Sequence, residues 1–401
     1  MQLYIFTTLL ALITSCHPSS QKIITEKTPD HQVSTVITGA ERLALYQPIL
    51  QGKKVAMVVN QTSIVKDKHL VDTLLKLGVD IQVVFAPEHG FRGKADAGEV
   101  IMDAKDPDTG LPIMSLYGKK KKPSAEDLNG IDIIIFDIQD VGVRFYTFIS
   151  TLHYIMESCA ENKLPLLLLD RPNPNAHYID GPILDPAHKS FVGMHPVPIV
   201  YGMTIGEYAQ MINGEGWLSG HAKCDLTVIP CNNYTHDTYY ELPKRPSPNL
   251  PNIRSILLYP STCFFEGTTL SLGRGTEKQF QVIGHPTLKD AFSFTPMPNE
   301  GAKNPPLNGQ KCHGVDLSQL TIGSLFDAKT IDLSYVIDFH KKMNDVNEKY
   351  FLDNNFFDKL AGGDHLRKQI IAGKSEKEIK STWKEGLLAF GKTRDKYLIY
   401  K

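Results

Sequence analysis

Four runs of consecutive apolar residues lie in the first half of the chain, and helical segments separate them. The apolar runs occupy residues 54–60, 80–86, 131–137 and 164–170, and helices are predicted over residues 69–77 and 145–162. The longer helix has apolar positions spaced by about 3.6 residues, which places them on one face. Continuously apolar strands alternating with helices are typical of a parallel sheet covered on both faces. The pattern therefore predicts an α/β fold with a Rossmann-like parallel sheet.

A second domain is predicted to begin after the proline-rich residues 243–251. The polar residues 295–314 are predicted to form a loop. A chain of 401 residues is long enough for two domains. We therefore predict a Rossmann-like domain over residues 41–255 and a smaller α+β auxiliary domain over residues 256–401.

One helix of the second domain is well marked. Ser375 and Glu378 fit a capping box, in which each side chain bonds to the backbone of the other residue. An apolar stripe follows at helical spacing and consists of Ile379, Trp383, Leu387 and Phe390. These features predict a helix that begins after Ser375 and continues through Phe390.

The N-terminal residues are predicted to lie outside the fold. Residues 3–13 are apolar, and residues 13–16 (ITSC) have the small-residue pattern of a bacterial lipoprotein cleavage site. The first three residues carry no Lys or Arg, so a simple secretory signal is the alternative. We expect a lipoprotein signal peptide over residues 1–16, a lipid anchor on Cys16 and a flexible tether over residues 17–40. These features predict a periplasmic or outer-membrane-anchored protein.

Composition removes several classes of function. The apolar content of 42% and the charged content of 22% are those of a soluble globular protein. A net charge of -1 without a basic stripe gives no reason to expect nucleic-acid binding, and the run of residues 119–122 (KKKK) is predicted to be a solvated loop. Five cysteines follow Cys16 without C-x-x-C zinc spacing. Buried free thiols are favoured over a Cys224–Cys231 disulfide.

Polar residues follow each of the four predicted strands. They are Asn60 after the first strand, Glu88 and His89 after the second, Asp137, Gln139 and Asp140 after the third, and Asp170, Arg171 and Asn173 after the fourth. Because the carboxyl ends of parallel strands share one edge of a sheet, these side chains are expected to converge on a cleft.

The candidate chemistry is that of carboxylates. The first strand is not followed by a glycine-rich turn, and the chain contains neither G-x-S-x-G nor H-E-x-x-H, so nucleotide, serine-hydrolase and zinc-protease sites are set aside. No metal site is predicted. Glu88 is the candidate proton donor, because glycoside cleavage needs a carboxylic acid beside the leaving oxygen. Asp137, Asp140 and Glu266 are possible partners. Arg144, Arg171 and Arg274 could bind an anionic group of a substrate.

Several motifs, in order, resemble those of one family. Residues 86–93 (APEHGFRG), 136–146 (FDIQDVGVRFY), 169–174 (LDRPNP), 247–251 (SPNLP) and 272–276 (LGRGT) resemble the exo-β-N-acetylmuramidases, formerly a domain family of unknown function. The resemblance spans the chain from about residue 40 onward.

The resemblance implies a specific activity. It implies removal of terminal β-1,4-linked N-acetylmuramic acid from the non-reducing end of peptidoglycan fragments, without a cofactor, in a closed-ended pocket between the two domains. Glu88 falls at the position of the family's general acid/base, and His89 would orient it. The lactyl carboxylate of the sugar would give the arginines a partner. The substrate-binding residues expected are Asn60, Arg92, Asp137, Gln139, Asp140, Arg144, Tyr146, Arg171, Asn173, Glu266 and Arg274.

Two other functions remain open from the sequence. One is a cell-wall amidase that uses a metal or a carboxylate, and the other is a lipoprotein that binds muropeptides without cleaving them. Retaining, inverting and substrate-assisted mechanisms are all compatible with the motifs.

Overall fold

A seven-stranded sheet forms the centre of the first two thirds of the chain. The structure is a computed structural model that describes residues 35–88, 90–91 and 104–400. In chain order, the strands of this part are β1 (Lys54–Val59), β2 (Ile64–Val65), β3 (Lys68–His69), β4 (Asp80–Ala86), β5 (Ala104–Lys105), β6 (Pro112–Ser115), β7 (Ile133–Asp137), β8 (Leu166–Leu169) and β9 (Leu226–Ile229). The sheet has the order β5-β6-β4-β1-β7-β8-β9, and β2 and β3 form a separate hairpin. All neighbours in the large sheet are parallel except β5 and β6.

Both faces of this sheet are buried. Along β1, Val55 and Met57 belong to one apolar core, while Ala56 and Val58 belong to another, because successive side chains of a strand point to opposite faces. The helices of this part of the chain are α1 (Leu43–Leu50), α2 (Leu70–Lys76), α3 (Phe148–Asn162), α4 (Ile205–Gly214) and α5 (Ile253–Thr262), and α5 packs against helices of the last third. The predicted α/β class, with a parallel sheet covered on both faces, is confirmed.

The last third of the chain has a smaller sheet of its own. Its strands are β10 (Val282–His285), β11 (Phe292–Phe294) and β12 (Cys312–Asp316), paired antiparallel in the order β10-β12-β11. Its helices are α6 (Ile322–Asp327), α7 (Ser334–Asp345), α8 (Phe356–Ala361), α9 (His365–Ile371), α10 (Glu376–Ser381) and α11 (Lys384–Arg394). This part confirms the predicted smaller α+β region, whose boundary near residue 255 stays a prediction. Residues 295–311 form the expected loop, and β12 begins at Cys312.

The C-terminal helix differs from the prediction. The capping box between Ser375 and Glu378 is present, but the helix ends at Ser381 and a new one begins at Lys384. The hydroxyl groups of Ser381 and Thr382 donate to the carbonyl oxygens of Glu378 and Ile379, at 2.6 Å in both cases. Such side-chain bonds compete with the helical backbone pattern, which accounts for the interruption.

Several hydrogen bonds join the last third of the chain to the part that contains the large sheet, among them one from Arg144 and one from Tyr400. The Arg144 guanidinium, which follows β7, donates to the carbonyl oxygens of Val197 at 2.7 Å and of Leu360 at 3.1 Å. The Tyr400 hydroxyl donates to Asp170 Oδ2 at 2.6 Å, directly after β8. Both contacts are buried, so the two parts of the chain share polar interactions in their interior.

All five cysteines of the described residues are free and buried, as favoured from the sequence. Cys224 contacts the thiol of Cys159 instead of Cys231. No helix within residues 35–88, 90–91 and 104–400 is long and apolar enough to cross a membrane. The predicted signal peptide, Cys16 and most of the predicted tether lie outside the described residues.

A buried histidine pair lies between α3 and α4. His195 Nε2 is 2.9 Å from His153 Nδ1, and His195 Nδ1 is 3.0 Å from the Tyr208 hydroxyl. Burial lowers the pKa of His153 to about 4, although the nearby charge of Glu157 acts to raise it. Burial also holds the pKa of His195 well below its ordinary value. Both rings are therefore neutral in the folded protein at neutral pH.

This pair should make the protein less stable in acid. In the unfolded chain both rings titrate near pH 6.5, so the unfolded state binds more protons as the pH falls from about 6.5 towards 4. We expect each ring to lower the free energy of unfolding by about 1.4 kcal/mol for each pH unit below 6.5 in that window. Urea unfolding at several pH values should show a shallower pH dependence for His153→Gln than for the wild type. An unchanged slope in that variant would contradict the assignment.

Candidate active site

A cavity of about 1150 Å³ lies where the large sheet meets the last third of the chain. One side is formed by Glu88, which follows β4, and by Tyr117 and Lys121, which follow β6. The turn before α3 and several residues of the last third complete the lining, among them Glu266, Arg274 and residues 301–307. This volume is slightly above the usual range for small-ligand pockets, and the location is the strand edge predicted from the sequence.

Glu88 is held in this cavity by two hydroxyl groups. The Thr147 hydroxyl donates to Glu88 Oε2 at 2.8 Å. Thr147 is the N-cap residue of α3, yet its side chain makes no capping bond and contacts the glutamate instead. Burial and the neighbouring Glu88 charge raise the pKa of Tyr117 to about 12, and the Tyr117 hydroxyl is hydrogen-bonded to Glu88. The phenol therefore remains protonated at neutral pH and donates to the carboxylate.

Glu266 is a second carboxylate of the same cavity, and it forms an ion pair with Arg274. It lies on a short 3-10 turn, Cys263–Gly267, directly after α5. Arg274 Nε donates to Glu266 Oε1 at 3.0 Å, and Arg274 Nη2 donates to the same oxygen. Burial acts to lower the pKa of Arg274, but the Glu266 charge outweighs it and the pKa is raised. The charge of Arg274 is thus already balanced within the protein.

Aromatic rings form much of the remaining wall. Phe145 packs edge-on against Tyr259, with ring centroids 5.1 Å apart, and Tyr146 packs edge-on against Phe148 at 4.9 Å. The Tyr146 hydroxyl donates to the carbonyl oxygen of Pro246 at 2.7 Å, which fixes its ring at the cavity. Apolar walls with a few placed polar groups are typical of small-ligand sites.

The structure places the predicted residues in two groups. Glu88, Tyr146, Glu266 and Arg274 line the cavity. Seven others are buried and do not line it: Asn60, Asp137, Gln139, Asp140, Arg144, Arg171 and Asn173. His89 and Arg92 lie outside the described residues. The four strand ends do share one edge of the sheet, but only part of that edge faces the cavity.

Asp137 and Arg171 form a two-pronged ion pair in the interior. Arg171 Nε and Nη2 donate to the two Asp137 oxygens at 2.6 and 2.8 Å. The Arg171 side chain is 2% exposed and that of Asp137 is 0% exposed. Arg171 also donates to the carbonyl oxygen of Ile64 at 3.1 Å. With its donors directed at protein atoms, this pair ties the ends of β7 and β8 to the hairpin.

The other buried residues also bond within the protein. Burial raises the pKa of Asp140 to about 6, although Tyr201 donates a hydrogen bond to it. Burial lowers the pKa of Arg144 to about 9. Asn173 donates to the carbonyl oxygen of Met203 at 2.7 Å, and it packs so closely on Gly142 that a side chain there would overlap it. In this structure these residues shape the strand ends and do not contact the cavity.

The last two of the seven buried residues, Asn60 and Gln139, lie in the turns that follow β1 and β7. The Asn60 side-chain oxygen accepts from the Thr62 backbone at 2.9 Å and from its hydroxyl at 2.6 Å. Gln139 Nε2 donates to the carbonyl oxygens of Asp140 at 2.8 Å and Pro172 at 2.6 Å. Both side chains therefore stabilise turns that follow the strands.

Sequence reasoning missed Tyr117, Lys121 and Thr147 as cavity residues. The first two follow β6, a four-residue strand that begins with a proline and was not predicted. Thr147 lies within the predicted helix over residues 145–162, but α3 begins only at Phe148, so residues 145–147 form a turn at the cavity. The motif of residues 136–146 points to this turn without showing which side chains face the cavity.

A Rossmann-like sheet with two carboxylates in an aromatic-walled cavity at its edge has the groups that glycoside hydrolysis requires. Two family models match most of the chain and place it among the glycoside hydrolases. The model described as exo-beta-N-acetylmuramidase NamZ, N-terminal, matches residues 55–254, and the corresponding C-terminal model matches residues 257–400. The chain belongs to the exo-β-N-acetylmuramidase NamZ family.

Individual relatives agree with this placement. The chain is 40% identical over 387 residues to the peptidoglycan beta-N-acetylmuramidase NamZ of Bacillus subtilis (strain 168), covering 88% of this chain and 89% of that protein. A crystal structure of a DUF1343 family protein from Bacteroides fragilis NCTC 9343 has a TM-score of 0.85 and 49% identity, covering 92% of this chain and 99% of that one. A second from the same organism has a TM-score of 0.75 and 26% identity, covering 91% and 99%.

Proposed function

We propose that this protein is an exo-acting β-N-acetylmuramidase of peptidoglycan turnover. It removes terminal β-1,4-linked N-acetylmuramic acid from the non-reducing end of peptidoglycan fragments, and Glu88 is its general acid/base. The observation that carries the proposal is the position of Glu88, a cavity-lining carboxylate at the end of a parallel strand, held by Thr147 and Tyr117. Membership of the family supports the bond that is cleaved.

The surroundings of Glu88 hold its carboxyl group in place at the cavity. Cleavage of a glycosidic bond requires a proton on the leaving oxygen as that bond breaks. The hydroxyl groups of Thr147 and Tyr117 fix the Glu88 carboxyl group in one orientation. Because the side chain is already ordered, it loses little further conformational entropy when substrate binds. After the sugar leaves, the resulting carboxylate can accept a proton from water, which returns the acid to its starting state.

The loop of residues 301–307 supports exo action. All seven of its residues line the cavity. The start of this loop is held by residues 248–249, because Asn249 Nδ2 donates to the carbonyl oxygen of Gly301 at 2.6 Å. Gly301 also lies so close to Pro248 that a side chain at this position would overlap it. A wall of this kind suits a pocket that accepts the end of a glycan chain.

Purified protein should release free N-acetylmuramic acid from a chromogenic β-N-acetylmuramide and from a disaccharide with N-acetylmuramic acid at its non-reducing end. Products from longer glycans should be single terminal sugars and no internal fragments. Release of peptide that EDTA abolishes would indicate the amidase instead. Tight muropeptide binding without turnover would indicate the binding protein.

We further propose that the protein is anchored outside the cytoplasm through a lipid on Cys16, supported by the sequence pattern of residues 3–16. Cys16→Ser should move the protein from the membrane fraction to the soluble fraction and abolish labelling with radioactive palmitate. Cys224→Ser, which alters a buried thiol, is the matched control and should stay in the membrane fraction. Equal membrane retention of both variants would rule out the anchor.

A further inference from the structure

N-acetylmuramic acid, the sugar of the proposed substrate, carries one group that N-acetylglucosamine lacks. N-acetylmuramic acid differs from N-acetylglucosamine by a lactyl ether on C3, which ends in a carboxylate. A cation in the pocket would favour the first sugar, because a charged hydrogen bond discriminates far better than apolar contact. The role inferred for this cation rests on the proposed function, which makes the lactyl carboxylate part of the substrate.

The three arginines predicted for this role have other partners. Arg171 is paired with Asp137 in the interior, and Arg144 donates to backbone carbonyl groups. Arg274 lines the cavity, but Glu266 balances its charge. An anion that bound Arg274 would have to displace this carboxylate, which costs the energy of the existing ion pair.

Lys121 differs from these arginines and from its own neighbours in the sequence. Lys120 pairs with Asp127, and Lys122 pairs with Glu157 and Glu161. Lys121 lines the cavity, and within the described part of the chain no carboxylate lies within ion-pair distance of it. The run of residues 119–122, predicted to be a solvated loop, thus contributes one cation to the cavity wall.

The position of the ammonium group is set by an aromatic ring. Lys121 Nζ lies 4.2 Å from the centroid of the Phe191 ring, which also lines the cavity. Such a contact orients a cation without cancelling its charge, because the ring has no net charge. The charge therefore remains available to a ligand.

The same ring connects the lysine to the proposed acid. Phe191 packs edge-on against Tyr117, with ring centroids 6.4 Å apart, and the Tyr117 hydroxyl is hydrogen-bonded to Glu88. Lys121, Phe191, Tyr117 and Glu88 are thus consecutive neighbours along one wall. A sugar whose glycosidic oxygen faces Glu88 carries its lactyl group on C3 of the same ring, so that group also lies within this cavity.

We infer that Lys121 binds the lactyl carboxylate of N-acetylmuramic acid and sets the preference of this cavity for muramic acid over glucosamine. The lysine is a specificity-determining residue, since it contacts a group remote from the bond that breaks. Its loss should act chiefly on substrate affinity.

Three substrates with the same leaving group test this inference: the β-N-acetylmuramide, its lactyl methyl ester and the β-N-acetylglucosaminide. The wild type should favour the free acid over the ester. For Lys121→Met, kcat/KM on the free acid should fall about 10–100-fold, mostly through KM, as expected for a lost charged hydrogen bond. The variant should then cleave the acid and the ester at similar rates. Lys121→Arg should restore part of the preference.

A control variant separates this role from a general charge effect. Lys122→Met removes a neighbouring charge whose partners are Glu157 and Glu161, and it should keep the wild-type preference. Lys303 is another lysine of the cavity lining, so Lys303→Met tests the competing position for the carboxylate. An unchanged acid-to-ester ratio in Lys121→Met, or its loss in Lys303→Met alone, would overturn the inference.

Binding measurements separate failure of this inference from failure of the proposed function. Calorimetric titration of free N-acetylmuramic acid and of N-acetylglucosamine into wild type and Lys121→Met requires no turnover. The wild type should bind the acid more tightly, with an advantage that high salt reduces, and the variant should bind both sugars alike. A wild type that cleaves no muramide would refute the proposed function, while this titration would still decide the role of Lys121.

Discussion

Replacing Glu88 with glutamine should lower kcat for cleavage of an N-acetylmuramic acid-containing disaccharide by about 10²–10⁴, the usual contribution of a general acid. Glutamine keeps the size of the side chain and can still accept a hydrogen bond from Thr147, but its amide is far too weak an acid to protonate the leaving oxygen. Initial rates of N-acetylmuramic acid release at saturating substrate give the comparison. KM should change little, because the acid acts mainly in the transition state.

The leaving group identifies the proton donor more sharply than the rate alone. A nitrophenolate leaves without a proton, whereas a sugar alkoxide does not, so Glu88→Gln should lose far more activity on the disaccharide than on a nitrophenyl substrate. Glu266→Gln is the matched control, since Glu266 is the other glutamate of the cavity. If Glu266→Gln showed the leaving-group dependence and Glu88→Gln did not, the acid would be Glu266.

Arg171→Met should lower the free energy of unfolding by about 3–5 kcal/mol, the usual result of removing one partner from a buried ion pair. The change leaves Asp137, which is 0% exposed, with an uncompensated charge in the interior. Urea unfolding at neutral pH measures the loss. The double variant Arg171→Met/Asp137→Leu should be more stable than Arg171→Met alone, because the unpaired charge is then absent.

The same variant distinguishes a structural role from a substrate-binding role. Arg171 does not line the cavity, so the fraction of Arg171→Met that remains folded should keep a KM for the muramide close to that of the wild type. Lys121→Met supplies the opposite pattern, with normal stability and a raised KM. A raised KM with unchanged stability in Arg171→Met would show that Arg171 binds substrate and has no structural role.

Much of the fold follows from the sequence because it depends on apolar periodicity. β1, β4, β7 and β8 lie within the four predicted runs, since each run is largely buried on both faces, as is typical of a covered parallel sheet. Glu88 could be placed at the cavity because it follows one of these strands. β6 is short and begins with a proline, so its apolar pattern is too weak to place Tyr117 and Lys121.

The direction of a side chain at a strand end is what the sequence could not provide. Asp137 is the last residue of β7 and Glu88 follows β4, yet one side chain points into the interior and the other into the cavity. The difference arises from partners distant in the chain, such as Arg171 for Asp137. Likewise, the pairing of Arg274 with Glu266 depends on how residues 263–276 turn in three dimensions.

The contact between Tyr400 and Asp170 has a consequence for the order of folding. Asp170 lies directly after β8, and Tyr400 is 230 residues away in the sequence. Closing a loop of this length costs more entropy than closing a short one, so contacts between such distant residues form slowly. The packing around Asp170 is complete only when the residues near Tyr400 have docked, which makes this contact a late step of folding.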